Sequence, residues 1–482
     1  MAPFLLRWKR LPPERRRRRR RSSFKRKRQP ELRIDDLPQD IVERILSFLP
    51  MKDAARTSVL SSKWQQGWAS YPKLTLNSET MLGASKCKVD YARKFESEQY
   101  RLKFIKNVNT IMRQHHGFGV EELVLAFGLY QMDAHHIDSW LALAATSRLE
   151  RLAIDLSGVS LYCIDPEKYA FPLQLLEGGR ARLCILQLTS LSLKSLGDIG
   201  GFVNLRTLEL KLVRVAEDDL QMLLCKCPAL EKLILISCGD FVSLQIGHHL
   251  KRLEHLSVDG GTLVESLQID AINLRTISHG FNLREIIVRE DCQIREVTAD
   301  MNITPEYFGR IYYKDMLLYM FTGVPSTLPC LEKLSLNIWE DIKTMETPEC
   351  ARRFMHLKHL ILSMRLNVNY KFDILRIVHV IEAAPLLQHF ELNIDDHMLP
   401  LYDDEPIPSF PRQPHEHLKK VAFRGFLAHK DMVALALYVL NNAESLELMT
   451  VQTNNRYSHS IANMFLHAED PRNVVNIIYD PL

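Results

Sequence analysis

The 482-residue sequence lacks the short motifs that announce common catalytic machinery. It has no Gly-rich phosphate loop, no Gly-x-Ser-x-Gly elbow and no His-Glu-x-x-His, so phosphate-cradle, serine-hydrolase and zinc-protease chemistries have no anchor. His415-Glu416-His417 has the wrong spacing to bring both rings to one metal from a helix. The adjacent pairs His115-His116, His135-His136 and His248-His249 are expected to diverge as surface or turn residues. No run reaches the ~18 apolar residues of a membrane span, and the N-terminus is too charged for the apolar core of a secretory signal. Nine cysteines, an odd number without paired zinc spacing, point to reduced thiols of the cytosol or nucleus. Cys225-x-Cys227 reads as buried helix surface, and no cysteine has the setting of a nucleophile. The expectation is a non-catalytic chain without metal, cofactor or membrane contact.

Charge is present in abundance, but unevenly. Residues 1–32 hold fourteen basic side chains, among them Arg15, Arg16, Arg17, Arg18, Arg19, Arg20 and Arg21, then Lys25, Arg26, Lys27 and Arg28. Only Glu14 and Glu31 oppose them, so the segment carries +12 while the whole chain is +4, leaving −8 for residues 33–482. Seven consecutive arginines repel one another and bury nothing, which predicts a disordered tail. Its two clusters, separated by Ser22, Ser23 and Phe24, read as a nuclear-localisation signal open to an importin, as a non-specific polyanion tether, or as a solvated arm. The tail lacks base-reading geometry, so nucleic acid is not the leading partner. The localisation expected is nucleus, cytoplasm or both.

Residues 34–72 are the most informative stretch. Ile34 and Asp35-Asp36-Leu37-Pro38 open a helix: proline suits a first turn, and the acidic pair sits at the positive end of the macrodipole. Ile41, Ile45 and Phe48 or Leu49 recur at helical spacing, and Val42 and Leu46 widen the stripe beyond one buried face, which predicts a partner surface. Pro50 stops the helix. Asp53 is placed to cap a second one carrying Ala54, Ala55, Ser58 and Val59, and Trp64 and Trp68 lie one turn apart on a third. So small a unit buries too little surface to stand alone and should lean on the downstream chain or on a partner.

The ordered series Leu37-Pro38, Ile41, Ile45-Leu46, Leu49-Pro50, Asp53-Ala54, Thr57-Ser58-Val59-Leu60-Ser61, Trp64 and Trp68 resembles an F-box of the form found in large plant families. The resemblance implies docking on a Skp-type adaptor and, through it, on a cullin-RING ubiquitin ligase. It further implies that Leu37, Pro38, Ile41, Ile45, Leu46, Leu49 and Pro50 face the adaptor or support that surface. Val59, Trp64 and Trp68 would form the module's own core.

Downstream, an apolar residue followed by x-x-L-x-L recurs. The series is Val120/Leu123/Leu125, Leu149/Leu152/Ile154, Leu188/Leu191/Leu193, Leu205/Leu208/Leu210, Leu230/Leu233/Leu235 and Leu253/Leu256/Val258. It continues with Leu283/Ile286/Val288, Leu331/Leu334/Leu336, Leu357/Leu360/Leu362, Leu387/Phe390/Leu392, Leu418/Val421/Phe423 and Ala443/Leu446/Leu448. The last two positions fit a short strand with one buried face. Several are preceded by a helical stripe: Ile137, Trp140, Leu141 and Ala144; Leu220, Leu223, Leu224 and Cys227; Ile374, Ile377, Val378 and Ile381; Met432, Leu435, Ala436 and Val439. A helix–strand unit every ~20–30 residues is the signature of leucine-rich repeats. The interval from Leu283 to Leu331 hides a degenerate repeat or an insertion.

His417 to Phe426, a helix over Asp431 to Leu440, and Ala443 to Leu448 are similar to the FBD region of plant F-box/FBD/leucine-rich-repeat proteins, with the expected role of capping the last repeat. The fold expected is therefore α/β: a basic tail (1–32), a three-helix F-box (33–78), a linker with a first helix on the solenoid (79–119), irregular leucine-rich repeats in a curved parallel sheet (120–406) and an FBD-like end (407–482). The function this implies is a substrate-recognition subunit that presents an unidentified protein target for ubiquitination by proximity alone. Two other readings stay open, a nuclear nucleic-acid-associated protein binding through its tail and a ligase-independent F-box scaffold.

Overall fold

A computed structural model of the chain describes residues 37–83, 94–115, 119–145, 148–157, 167–176, 182–193, 200–239, 241–259, 264–280, 283–300, 319–338, 354–365, 376–395, 407 and 410–481. The basic tail, Ile34, Asp35, Asp36, His116 and Ile374 lie outside these residues.

Three short helices open the described chain: α1 (Gln39–Phe48), α2 (Met51–Thr57) and α3 (Ser62–Ala69). Pro38 and Pro50 are the N-caps of α1 and α2, just outside the helices, where a missing N–H breaks no hydrogen bond. Asp53 lies inside the first turn of α2 and pairs with Arg56 at 3.0 Å, so it does not cap that helix as its position in the sequence suggests.

The chain then builds one long parallel sheet. Its strands are β1 (Lys73–Asn77), β2 (Glu122–Ala126), β3 (Arg151–Asp155), β5 (Ile185–Thr189), β7 (Thr207–Lys211), β8 (Lys232–Ile236), β10 (His255–Asp259), β12 (Thr276–His279), β14 (Glu296–Asp300), β15 (Lys333–Ile338), β16 (His359–Arg365), β17 (His389–Asp395), β18 (Lys420–Arg424), β19 (Leu448–Thr453) and β20 (Val475–Tyr479). They are hydrogen-bonded in that order. Two smaller parallel ladders lie beside it: β9 (Ser243–Ile246), β11 (Ser266–Ile269) and β13 (Glu285–Val288), and the pair β4 (Ala170–Phe171) and β6 (Ser192–Leu193).

Register explains the core. One row of buried side chains runs from Leu74 through Leu123, Leu152 and Leu186 to Val421, Met449 and Val475, because each strand pairs in step with its predecessor. Alternate residues bury one face of the sheet and leave the other open. Helices cover the buried side: α4 (Ser78–Leu82), α5 (Lys94–Gln114) with Phe104 and Val108 inward, α6 (Ala134–Ala144), α7 (Glu217–Cys225), and later Arg376–Glu382, Lys430–Asn442 and Arg456–Leu466. After β5, β7 and β8 the chain turns at the same point in left-handed conformation, at Ser190, Leu212 and Ser237. Each of these residues donates its N–H to the end of the next strand, at Lys211, Ile236 and Asp259. At Gly425 (φ +68°) a Cβ would overlap the Ile394 carbonyl, so only glycine fits the exit of β18.

Several expectations shift by a register. The strand near residue 188 is built on Leu183, Leu186 and Leu188, while Leu193 belongs to the small β4–β6 ladder and Leu191 is buried just before it. Near the end, Leu446, Met449 and Val451 point inward and Leu448 is exposed. Leu283/Ile286/Val288 forms β13 of the second ladder, and the main sheet instead uses β12 and β14, whose inward residues are Leu274, Ile277 and His279, then Ile294, Val297 and Ala299. The long interval before Leu331 thus holds the repeat strand β14. β1, within residues allotted to the F-box, is already a strand of the sheet. The FBD-like region extends the sheet by β18, β19 and β20 in register, with β20 left at the edge, which is more than a cap.

Candidate functional site

The two faces of α1 differ in kind. Val42 and Leu46, one turn apart, are wholly buried. They meet α3 at Gly67, where a Cβ would lie 2.6 Å from Leu46 Cδ1 and 3.2 Å from Val42 Cγ1. Ile41 and Ile45 (38% and 37% exposed) and Phe48 (78%) recur at i, i+4 and i+7 on the face turned away. Leu37 and Leu49 are half-buried against the core, and Pro38 and Pro50 are exposed. Of the residues expected at an adaptor face, Leu46 is thus interior support, and Ile41 and Ile45 are surface. Phe48, named only as an alternative to Leu49, is the most exposed apolar residue of the helix, a consequence of the helical phase that puts it in line with Ile41 and Ile45.

Trp64 and Trp68 are buried as expected, but Val59 is 85% exposed in the turn between α2 and α3 beside the exposed Leu60. Because α2 ends at Thr57, the helical phase that would turn Val59 inward has already stopped.

The module is fastened to the sheet by polar contacts. Lys63 donates through its ammonium to the Leu37 carbonyl. The Tyr71 hydroxyl donates to the Leu49 carbonyl at 2.7 Å, and the Trp68 and Tyr71 rings stack at 5.5 Å. Burial, followed by the charge of Glu122, pushes the Tyr71 phenol up and keeps it a donor. His115 Nε2 donates to the Tyr71 carbonyl at 2.8 Å, so this histidine is a buried tie and not a surface residue. Thr75 N of β1 donates to Met51 Sδ of α2 at 3.2 Å. Nor do His135 and His136 diverge; their rings lie 3.8 Å apart, and His136 meets Asn109 at 3.4 Å.

The open face of the sheet carries the second set of side chains. Across β2 to β7 runs a chain of polar contacts: Glu122 pairs with Arg151 at 3.3 Å, Arg151 donates to the Gln187 amide at 3.0 Å, Gln187 donates to Glu209 at 2.6 Å, and Lys211 pairs with Glu209. Burial opposes ionisation of Glu209, but hydrogen bonds from Lys211 and Gln187 outweigh it and hold its carboxyl below the usual range. Across β15 to β18 the row is Lys333, His359, His389 and Lys420, in register on adjacent strands. The His359 and His389 rings are 4.4 Å apart.

Chemical machinery is sparse. Among the described residues no three His, Cys, Asp or Glu side chains are grouped to hold a metal, and no helix is long and apolar enough to cross a membrane. Cys227 is buried and its thiol pushed up to about 12 by burial, which makes it inert, whereas Cys225 is exposed. His415 donates to or accepts from Tyr438 at 2.8 Å inside the C-terminal core, far from a ligand role.

Comparison with known proteins agrees with this geometry. The F-box domain model matches residues 34–75, and the model described as "At1g61320/AtMIF1, LRR domain" matches residues 111–470. Arabidopsis thaliana At5g56810, whose name describes an F-box/FBD/LRR-repeat protein, is 24% identical over 88% of this chain and 90% of its own length. The F-box protein At4g09920 of the same plant is 30% identical over 62% of this chain and 93% of its own length. The F-box/FBD/LRR-repeat protein At2g04230 is 29% identical over 56% and 57%. With an F-box at one end of a parallel repeat sheet, family models for both parts, and an F-box/FBD/LRR-repeat relative matched nearly end to end, the chain belongs to the F-box/FBD/leucine-rich-repeat family.

Proposed function

We propose that the chain is the substrate-recognition subunit of an SCF-type ubiquitin ligase. Its F-box docks on a Skp-type adaptor that brings a cullin, and its repeat sheet holds a protein target near a ubiquitin-charged enzyme. Transfer then gains from proximity, with no reacting group supplied by this chain. The observation that carries the reading is the apolar stripe Ile41, Ile45 and Phe48, left open on a helix whose opposite side is fully packed. Large aliphatic and aromatic side chains fixed on a rigid helix and open to water are the usual anchors of a helix-mediated interface.

The test is co-purification of a Skp-type adaptor and cullin with the full chain and with Ile41→Asp/Ile45→Asp. Both positions are surface, so the variant is expected to melt like the parent and to lose both partners. Retention by the variant, or no capture by the parent, would refute the reading, and adaptor without cullin would favour a ligase-independent scaffold.

We also assign the basic tail to nuclear import through an importin, on the strength of its two Arg/Lys clusters. Deletion of residues 1–32 is expected to abolish nuclear accumulation of a fluorescent fusion while leaving adaptor capture intact; unchanged distribution would remove the assignment.

A further inference from the structure

The first open position of each strand forms a row across the sheet, and its charge pattern changes along the molecule. In β2 and β3 it holds Glu122 against Arg151, an opposite pair 3.3 Å apart. From β15 to β18 it holds Lys333, His359, His389 and Lys420. Neighbouring strands are about 4.8 Å apart, so these four groups face one another at side-chain contact range. Among the described residues, the carboxylate that reaches the row from the sheet is Glu296 of β14, 3.6 Å from Lys333 at its far end. Lys358 is taken by Glu332 at 3.1 Å, Lys419 by Glu447 at 3.6 Å, and Arg424 by Glu391. Lys420 is exposed and has no carboxylate partner among the described residues. The His359 and His389 rings lie side by side, tilted by 38°, and His389 Nδ1 is buried without a hydrogen-bond partner among the described residues.

We propose that this four-residue strip on β15–β18 receives an acidic, extended segment of the protein target, with its carboxylates lodged between Lys333 and Lys420 over the two imidazoles. The proposal rests on the receptor reading above and names the chemistry of what the repeat sheet holds. Charge complementarity selects the occupant. The strip is short and bounded by carboxylates, with Glu296 at one end, Glu332 just before Lys333, and Glu391 two residues beyond His389. Spaced carboxylates of a peptide can sit within it, whereas a continuous phosphodiester backbone would have to pass those acidic groups.

Proton uptake follows from the same arrangement. The charged groups facing the imidazoles are Glu296 of β14, Lys333 of β15, Lys358 before β16, and Lys420 of β18. Burial first, then His389 and Lys333, hold His359 below its ordinary value, with Glu296 opposing. His359 is therefore neutral in the free protein near neutrality, and an arriving carboxylate favours its charged form. Binding takes up protons, so affinity rises as pH falls.

The test uses the full chain and a fluorescent, photo-cross-linkable peptide rich in Asp and Glu, beside its Asn/Gln analogue and a single-stranded RNA oligonucleotide. Cross-links are mapped by mass spectrometry, which separates capture on β15–β18 from capture on residues 1–32. The acidic peptide is expected to label β15–β18 and to bind about tenfold more weakly to Lys333→Glu/Lys420→Glu. Its affinity should increase several-fold from about pH 8 to about pH 6, and His359→Gln/His389→Gln should remove that increase. Equal binding of the Asn/Gln analogue, cross-links confined to the tail, a pH-independent affinity, or preferential RNA binding through the same residues would each overturn the proposal. Adaptor capture is measured on the same variants. The strip variants are expected to keep it, so loss of peptide binding and failure of the receptor reading give different results.

Discussion

Gly67 shows how one missing methyl sets the shape of the F-box. Alanine is favoured over glycine in a helix by about 1 kcal/mol, so propensity alone would make Gly67→Ala stabilising. The Cβ would lie 2.6 Å from Leu46 Cδ1, and Leu46 is wholly buried, so it cannot swing aside into water. Overpacking of a tight contact costs about 1–3 kcal/mol, which outweighs the propensity gain. Gly67→Ala is therefore expected to lower the stability of the F-box by about 1 kcal/mol net and to weaken adaptor capture, because α1 must lift away from α3. Hydrogen exchange of α1 amides checks this directly; unchanged protection would mean that Leu46 finds another rotamer. Sequence alone placed Trp64 and Trp68 correctly in this core, since aromatic spacing of one turn survives small errors in helix ends. It misplaced Val59, since an end two residues earlier, at Thr57, turns that side chain to water.

At the scale of the strand, His279 is the polar exception in an otherwise apolar row. It takes the inward position of β12 that leucine holds in β5, β7 and β8, and only its Nδ1 has a partner, the Gly280 carbonyl at 2.8 Å. Burial pushes its pKa down to about 4. The folded protein thus holds the neutral ring while the unfolded chain takes up a proton at about pH 6.5. Stability from this site is complete above that pH, is lost as pH falls toward about 4, and changes no further below, a total on the order of 3 kcal/mol. His279→Leu should flatten that part of the pH–stability curve in denaturant titrations; an unchanged slope would place its origin elsewhere. The same residue explains why β12 went unseen in the sequence, where a histidine breaks the leucine pattern, as Ala299 does in β14. The slips at β5 and β19 have another cause. Leu183, Leu186, Leu188, Leu191 and Leu193 satisfy the repeat spacing in two overlapping registers, and only pairing with β3 and β7 decides between them. Spacing likewise cannot tell β13 from a main-sheet strand, because both bury alternate residues.

For the molecule as a whole, the F-box is not an independent bead on a string. Its buried residues, Val42, Leu46, Met51, Trp64 and Trp68, belong to one core that continues through Leu74 and Leu123 along the sheet. Tyr71 joins the parts: its hydroxyl holds the end of α1, its ring stacks on Trp68, and its carbonyl is held by His115 from the end of α5. Pro72 then receives N–H bonds from Glu121 and Glu122, which start β2 beside β1. A solenoid gains stability from each interface between neighbours, and its first unit depends most on the one interface it has. Residues 37–72 expressed alone are therefore expected to lack a cooperative melt, while the full chain folds; a two-state transition in the short piece would show that the sheet is dispensable. Extending the piece through β2, to residue 126, restores the Tyr71–His115 tie and the β1–β2 ladder and should restore helical signal. This rigid coupling has a functional consequence. If a target is held on β15–β18 and the adaptor on α1, as proposed, the parallel sheet between them, hydrogen-bonded strand to strand from β1 onward, would keep the direction from one to the other fixed. Proximity can accelerate transfer only where such a distance is held, so substitutions that loosen the Tyr71 junction are expected to reduce ubiquitination of a bound target more than they reduce its binding.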